Sequence, residues 1–206
     1  KIVLEKEKLQ VILHANIDDL ALIINEVLPD SLFEKISSYN YDSVENTLKN
    51  ISHKDWQETL FKDNYKNKTM EKVKVIHNLA IYENEKYEYV NEIFKQVLDI
   101  IINCDWLPFK KKSKLILSYY EYDKYAGINW HDDGKWTLNH SLYIHKEWNK
   151  NWGGETLIDT GRGLPLCASP VTNSMVTIKN NVYHKVCAVT GPKKRKVLQI
   201  RGIFYE

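Results

Sequence analysis

Cysteine, glycine, proline and net charge are all scarce in this sequence, and each scarcity excludes a class of protein. The 206 residues include three cysteines, eight glycines and five prolines, and 29 basic against 27 acidic residues give a net charge of +2. Three cysteines without a CxxC spacing exclude a disulfide scaffold and indicate reduced thiols in a cytoplasmic compartment. The low glycine and proline content excludes a collagen-like chain, and the small net charge gives no reason to expect a nucleic-acid or membrane partner.

Long apolar segments are also absent. The longest candidate, residues 97–104, is far shorter than the roughly 20 residues that span a bilayer, and Asp99 interrupts it. The sequence has no charged-then-apolar leader, so we expect a soluble, cytoplasmic protein without a secretory signal. The glycine fingerprints of P-loop and dinucleotide-binding proteins and the GxSxG elbow of hydrolases are missing, which removes those enzyme classes.

The first half of the chain has the pattern of helices. Residues 32–39 follow a Pro29-Asp30-Ser31 capping signal and place apolar side chains at helical spacing, and residues 83–103 repeat apolar positions every three or four residues. Between them, residues 40–70 are polar and rich in Lys, Asn and Asp, which predicts a mobile surface excursion. We therefore expect residues 1–107 to be mainly helical support.

From Lys114 onward the pattern changes to short β-branched and aromatic runs separated by turn residues, which is typical of an all-β unit. Strands are predicted over residues 115–122, 141–146, 155–158, 174–179, 183–189 and 197–205. This spacing indicates a sandwich or jelly roll. The predicted fold class is α+β, with one domain over residues 1–206 and its jelly roll in residues 108–206. Two basic clusters, at residues 110–114 and 193–196, are interpreted as solvated turns.

One constellation of residues carries chemistry. His131 and Asp133 are two residues apart, so an extended backbone sends both side chains to one face. His184 begins another predicted strand, and two such strands can be neighbours in a closed β architecture. Two imidazoles and one carboxylate on one face form the donor set that holds Fe(II) and leaves three coordination positions open. Zinc would more often use a third His, a Cys or an HExxH helix, and none of these is present.

Other residues compete for roles near this constellation. Asp132 could replace Asp133, although the immediate neighbour of His131 points to the other side of an extended chain. His140 and His145 are interpreted as structural or substrate-facing. Arg195 and Arg201 are separated by an even number of residues on the last predicted strand, and a guanidinium there could pair with a dicarboxylate.

The order of these residues resembles the Fe(II)/2-oxoglutarate-dependent dioxygenases, and within them the prolyl 4-hydroxylase-like branch. The resemblance rests on Tyr122, His131-x-Asp133, the segment from Tyr143 to Trp148, Gly153-Gly154-Glu155, His184, Arg195 and the closing Ile203-Phe204-Tyr205. It implies a jelly roll of the double-stranded β-helix type, in which His131, Asp133 and His184 are the catalytic metal ligands.

The resemblance also implies the residues that bind 2-oxoglutarate. Arg195 would pair with the far carboxylate, Tyr143 would hydrogen-bond it, and Tyr122 would line the same pocket. Arg195 fits the family's basic position only if the turn at residues 191–194 shifts the register by two residues. Arg201 therefore stays an alternative or an assistant, since related demethylases use two arginines with this six-residue separation.

The implied activity is hydroxylation of an unactivated carbon, with Fe(2+) and 2-oxoglutarate as cofactors, L-ascorbate as an optional addition, and succinate and carbon dioxide as coproducts. The resemblance favours a prolyl residue of a peptide or protein as the substrate, and the intact carboxylate of Asp133 favours hydroxylation over halogenation. Two alternatives stay open. One is a catalytically silent jelly-roll module that binds a ligand, and the other is a nucleic-acid demethylase that uses the basic clusters. The oligomeric state is not predicted.

Overall fold

The computed structural model describes residues 21–44, 73–104, 113–134 and 136–204. Two helices lie in these ranges, α1 (Asp30–Ser37) and α2 (Glu92–Ile102), and Tyr41–Ser43 forms a 3-10 turn. The strands are β1 (Ala21–Ile24), β2 (Val73–Glu83), β3 (Lys86–Tyr89), β4 (Ser113–Tyr122), β5 (Ile128–His131), β6 (Leu138–Tyr143), β7 (Thr156–Ile158), β8 (Leu166–Ala168), β9 (Met175–Lys179), β10 (His184–Val186) and β11 (Arg195–Phe204).

These strands form two antiparallel sheets. The major sheet has the order β1-β9-β6-β11-β4-β2-β3, and the minor sheet has the order β5-β10-β7-β8. One buried cluster contains side chains from both sheets, for example Tyr122 and Val197 from the major sheet and Ile158 and Val186 from the minor sheet. The two sheets therefore pack face to face, as in a jelly roll, and the predicted fold class is confirmed.

The helices cover the outer face of the major sheet. Phe94 and Leu98 of α2 share a second buried cluster with Leu117 of β4, Leu142 of β6 and Leu198 of β11. Because side chains alternate along a strand, the residues between these positions face the other sheet. The major sheet is thus buried on both faces, and the alternation fixes which of its residues can line a cavity between the sheets.

The prediction of a mainly helical first half is wrong for residues 73–89. There β2 pairs with β4 and β3 pairs with β2, so this part of the chain extends the major sheet. The helix predicted over residues 83–103 begins later than expected, because the Asn91 side chain caps α2 by accepting a 3.1 Å hydrogen bond from the Ile93 N–H. The helix predicted over residues 32–39 is confirmed as α1, with both ends two residues earlier.

Five of the six predicted strands are confirmed, within a few residues, as β4, β7, β9, β10 and β11. The strand predicted over residues 141–146 is shifted, since β6 ends at Tyr143, whose carbonyl accepts a hydrogen bond from Asn173 as the chain turns away. Residues 45–70 of the polar excursion and the division at residue 107 lie outside the described residues. Within the described ranges, no helix is long and apolar enough to cross a membrane.

Candidate metal centre

The minor sheet brings the two predicted histidine ligands side by side. His131 at the end of β5 is the direct cross-strand partner of His184 at the start of β10, and their ring centroids are 4.4 Å apart. Asp133 follows β5, and its carboxylate oxygens lie 3.2 Å from His184 Nε2 and 4.0 Å from His131 Nε2. One ligand atom from each of the three residues lies within 4.8 Å of the others, so this group could hold a metal ion.

Backbone carbonyls orient both imidazoles toward this centre. His131 Nδ1 lies 2.7 Å from the Asn129 carbonyl, and His184 Nδ1 lies 2.9 Å from the Val182 carbonyl. A carbonyl only accepts, so each Nδ1 carries a proton, and each ring in its neutral form directs its Nε2 lone pair toward Asp133. Asp133 Oδ2 is buried and its contact with His184 lacks hydrogen-bond geometry. Three electron-pair donors that face one another in this way fit a cation between them.

The electrostatics of the centre follow from burial and from these contacts. Burial, with His184 as a further cause, lowers the pKa of His131 and keeps this ring neutral. Burial alone would raise the pKa of Asp133, but His184 and Arg201 lower it overall, so the carboxyl is ionised. Burial likewise opposes a charge on His184, yet Asp133 raises its pKa overall. An anionic carboxylate between two imidazoles is a donor set suited to Fe(II).

Asp132 is not part of the centre. Its Oδ1 accepts a 2.9 Å hydrogen bond from the Gly134 N–H in the turn after β5, as expected for a carboxylate on the opposite side of the chain from Asp133. The alternative in which Asp132 replaces Asp133 as ligand is therefore not supported by the geometry.

A cavity of about 440 Å³, counted with its open mouth, leads from the three ligands to Arg195. Arg195 is 1% exposed, and its Nη2 donates 3.3 Å hydrogen bonds to Tyr143 Oη and Thr156 Oγ1. Its guanidinium carbon lies 4.8 Å from the ring centroid of Tyr122 and 4.9 Å from that of Tyr143. The structure thus places Arg195, Tyr143 and Tyr122 together, as the sequence predicted.

Arg195 is a buried cation without a protein anion in the part of the chain that the structure describes, and its Nε has no hydrogen-bond partner there. A buried charge is costly unless an opposite charge and hydrogen bonds compensate it. The side chains around it, Tyr122, Tyr143 and Thr156, are neutral acceptors or aromatic faces. A small ligand with a carboxylate would provide the missing charge.

Arg201 occupies a different place on the same face of β11. Its Nη2 lies 3.6 Å from Asp133 Oδ1, and its guanidinium carbon lies 5.8 Å from the Tyr120 ring centroid. Arg201 therefore stands beside the metal ligands and already has an anion, whereas Arg195 stands at the far end of the cavity. Arg195 reaches that end because β11 begins there, opposite Tyr122.

The other two histidines of this region have structural contacts. His140 Nδ1 lies 2.8 Å from Thr177 Oγ1, and His145 Nε2 lies 2.8 Å from the Pro170 carbonyl. Burial lowers the pKa of His140 to about 3 and, as the largest cause, the pKa of His145 to about 4. Neither belongs to the metal-ligand group.

Sequence reasoning missed several residues of the cavity wall. Besides the predicted residues, the wall includes the polar side chains of Tyr120, Asn139, Ser141, Thr156 and Gln199. Asn139, Ser141 and Tyr143 occupy alternate positions on β6 and therefore share one face. Counting back from Tyr143 in steps of two would have found them, but the predicted strand began at Ser141 and excluded Asn139.

Comparison with known proteins agrees with this geometry. The family model of the 2OG-Fe(II) oxygenase superfamily matches residues 117–200, the segment that carries all three ligand residues, Tyr143 and Arg195. No curated protein matches the chain in sequence.

Solved structures share the fold at low sequence identity. A prolyl-4-hydroxylase from Pseudomonas putida is 14% identical, with a TM-score of 0.54 over 90% of this chain and 93% of its own. A viral collagen prolyl hydroxylase from Paramecium Bursaria Chlorella virus-1, solved with 2OG, is 11% identical, with a TM-score of 0.57 over 90% and 96%. A prolyl hydroxylase from Trichoplax adhaerens, solved with a hypoxia inducible factor peptide fragment, is 12% identical, with a TM-score of 0.52 over 91% and 84%.

Identities this low show the fold alone, whereas the family model matches the sequence itself. Together with the three converging ligand residues, they confirm the resemblance of this chain to the 2OG-Fe(II) oxygenase superfamily, with prolyl 4-hydroxylases among its structural neighbours.

Proposed function

We propose that the protein is an Fe(II)- and 2-oxoglutarate-dependent oxygenase that hydroxylates an unactivated carbon, with a prolyl residue of a peptide or protein as its substrate. One observation carries the proposal. A single cavity contains the His131, Asp133 and His184 donor set at one end and Arg195, a buried cation without an anion among the described residues, at the other. A metal-bound dicarboxylate is the ligand that would satisfy both ends.

His131 and His184 would each bind the iron through Nε2, and Asp133 would bind it through a carboxylate oxygen. When bound, Fe(II) with 2-oxoglutarate supplies the oxidation that places one oxygen atom of O₂ on a substrate carbon, with release of succinate and carbon dioxide. The carbonyls of Asn129 and Val182 keep both imidazoles in the tautomer that donates a lone pair from Nε2. Arg201 keeps Asp133 ionised from its other side.

Arg195 binds the far carboxylate in this proposal. Its planar guanidinium offers paired N–H donors that match a carboxylate, and Tyr143 and Thr156 hold it in place through hydrogen bonds to Nη2. Ile128, Ile178 and Val186 supply apolar parts of the cavity wall, which exclude water and strengthen the ion pair.

The prolyl substrate class is supported by the resemblance to prolyl 4-hydroxylases, which are also among the proteins that share this fold. A nucleic-acid substrate has less support, because Lys193 and Lys194 of the basic turn lie 3.3 and 2.7 Å from carboxylates of Glu147 and Glu121.

Anaerobic titration with Fe(II) and 2-oxoglutarate tests the cofactor assignment. We expect a visible charge-transfer band in the wild type and no band in Asp133→Ala. We expect Arg195→Ala to bind 2-oxoglutarate about 10- to 100-fold more weakly, since a hydrogen-bonded charge contributes about 1.5–3 kcal/mol. Exposed Arg162 provides the matched control Arg162→Ala, which should bind like the wild type. A wild type without the band contradicts the proposal.

The substrate class needs a separate experiment. Peptides with one proline are incubated with the loaded enzyme in air, and mass spectrometry follows a gain of one oxygen on the peptide while succinate is quantified. We expect one hydroxylated proline per succinate. Succinate formation without hydroxylation of any prolyl peptide would reject the substrate class and leave the oxygenase assignment intact.

A further inference from the structure

We propose that Asn139 determines substrate specificity by pairing its carboxamide with the backbone N–H and C=O of one extended substrate residue at the metal end of the cavity. The inference rests on the proposed function for the class of substrate, and its evidence comes from a different side chain. Asn139 is 3% exposed, and neither its Nδ2 nor its Oδ1 has a hydrogen-bond partner among the residues that the structure describes. A buried amide left unpaired costs free energy, so a ligand that pairs with it gains that free energy back.

The register of the sheet shows that Asn139 faces the cavity. On β6 it lies between its cross-strand partners Arg201 of β11 and Ile178 of β9. All three side chains line the cavity, while the preceding and following β6 residues face the helices. The unpaired carboxamide is therefore directed at the space where a ligand binds.

Its position along the strand separates Asn139 from the far carboxylate site. Tyr143, which contacts Arg195, is four residues further along β6, which corresponds to about 13 Å. The neighbour of Asn139, Arg201, has its Nη2 3.6 Å from Asp133. A five-carbon diacid bound between Arg195 and the metal ligands would occupy the middle of the cavity, and Asn139 would remain available to the substrate.

The chemistry of the carboxamide selects the partner. Asn139 offers an NH2 donor and a carbonyl acceptor side by side, and an extended residue presents its own N–H and C=O on one side in the complementary order. A carboxylate would satisfy only Nδ2 and leave Oδ1 buried without a partner, and an apolar group would satisfy neither. A prolyl nitrogen has no hydrogen, so the residue whose N–H and C=O pair with Asn139 is a neighbour of the hydroxylated proline.

Asn139→Leu is the test variant, because leucine has a similar size and removes both polar atoms. The probe is the blocked tripeptide acetyl-Ala-Pro-Ala-amide together with ester analogues in which each backbone N–H is replaced in turn by oxygen. Binding is followed by NMR on the anaerobic protein loaded with Fe(II) and 2-oxoglutarate, so that no turnover is needed. Asn180→Leu, a change at an exposed asparagine, is the matched control.

We expect Asn139→Leu to bind the tripeptide about 10-fold more weakly than the wild type and Asn180→Leu, with the charge-transfer band and the 2-oxoglutarate affinity unchanged. One ester analogue should lose a similar factor in the wild type and nothing in Asn139→Leu, which identifies the N–H that Asn139 reads. Asn139→Leu should also melt at a higher temperature in the absence of ligand, since two unpaired buried atoms are removed. An asparagine with a merely structural role would give a lower melting temperature.

Three results would overturn the inference. They are equal tripeptide affinity in Asn139→Leu and the wild type, a loss of 2-oxoglutarate affinity in Asn139→Leu, and no tripeptide binding by the wild type at millimolar concentration while the charge-transfer band is present. If Asn139→Leu does not fold, Asn139→Ser, which is smaller and leaves the pairing incomplete, replaces it with the same expectations for affinity. A wild type without the charge-transfer band contradicts the proposed function, and this result is distinct from the three results above.

Discussion

Two buried asparagines differ in a way that separates structural from binding roles. Asn173 accepts a 2.9 Å hydrogen bond from the Leu28 N–H and donates a 2.8 Å bond to the Leu28 carbonyl, so both ends of its carboxamide are paired within the protein. Asn139 is more deeply buried, and neither end of its carboxamide is paired with a residue in the described part of the chain. Because the folded chain satisfies most buried polar groups, the unpaired atoms of Asn139, Asp133 and Arg195 in one cavity indicate ligand contacts.

Buried neutral histidines should make the protein acid-sensitive. The pKa of His140 is about 3 in the folded protein and near 6.5 in the unfolded chain, so below pH 6.5 only the unfolded state takes up the proton. The contribution of neutral His140 to the free energy of unfolding is fully present above pH 6.5. It falls as the pH decreases below that value, by about 1.4 kcal/mol per pH unit. Between pH 7 and pH 5 we therefore expect the free energy of unfolding to fall by about 2 kcal/mol less in His140→Asn than in the wild type.

Urea unfolding at both pH values measures this difference. Asparagine places its amide near the position of Nδ1 and can keep the contact with Thr177, so the comparison isolates the titration. His145, with a pKa of about 4, contributes the same acid sensitivity to both proteins and does not affect the difference. Parallel pH profiles for the wild type and His140→Asn would contradict the prediction.

At the scale of elements, the turn that leads into β7 makes room for Arg195. Gly154 has a φ of +74°, and a Cβ added there would lie 3.0 Å from Arg195 Cδ and 3.1 Å from Trp148 Cζ2. We expect Gly154→Ala to lower the free energy of unfolding by about 1–2 kcal/mol through the left-handed backbone. The displaced guanidinium should also weaken 2-oxoglutarate binding several-fold, measured by the anaerobic titration.

A second glycine on an exposed turn provides the control for this prediction. Gly161 has a φ of +67° and no atom within 4 Å of an added Cβ, so Gly161→Ala has the same backbone strain without a contact to Arg195. It should lose comparable stability and keep the wild-type affinity for 2-oxoglutarate. Equal affinities in Gly154→Ala and Gly161→Ala would show that the turn does not position Arg195.

The elements predicted well from the sequence are those with a simple period. Strands β4, β9 and β11 have continuous patterns, and the ligand group was predicted from the HxD spacing and a distant His184 together with the order of the residues around them. β2 was missed because a bulge at Asn78, with a φ of +56°, interrupts its two-residue alternation. The β2–β3 hairpin turns at Asn84 and Glu85, both with positive φ, and glutamate is not a residue that signals such a turn.

Site residues were predictable where the chemistry allows few residue types. They were not predictable where strand packing decides which side chains reach the cavity. Two histidines and a carboxylate are a small set of choices for a metal, whereas Asn139 and Thr156 belong to the cavity only because of strand register. The choice between Arg195 and Arg201 also depended on the structure, since both face the cavity and only the location of Asp133 distinguishes them. The register of a strand depends on its pairing with distant strands, so the local sequence does not determine it.

At the scale of the whole molecule, the proposed ligands would connect the two sheets. His131 and His184 belong to the minor sheet, and Arg195 and Tyr143 belong to the major sheet. Anything that binds only the folded protein stabilises it, by about 2.7 kcal/mol at a ligand concentration 100 times the Kd. For a protein of this size that corresponds to a rise in melting temperature of roughly 5–10 °C.

We therefore expect the two ligands to stabilise the protein cooperatively when melting is followed by anaerobic scanning calorimetry. Fe(II) alone should raise the melting temperature, 2-oxoglutarate alone should have little effect, and both together should raise it by more than the sum, because the dicarboxylate then spans from the metal ligands to Arg195. In Arg195→Ala the increment from Fe(II) should remain while the increment from 2-oxoglutarate is lost, and in Asp133→Ala both should be lost. An undiminished 2-oxoglutarate increment in Arg195→Ala would mean that the far carboxylate binds elsewhere, and the connection between the two sheets would then have to run through another residue.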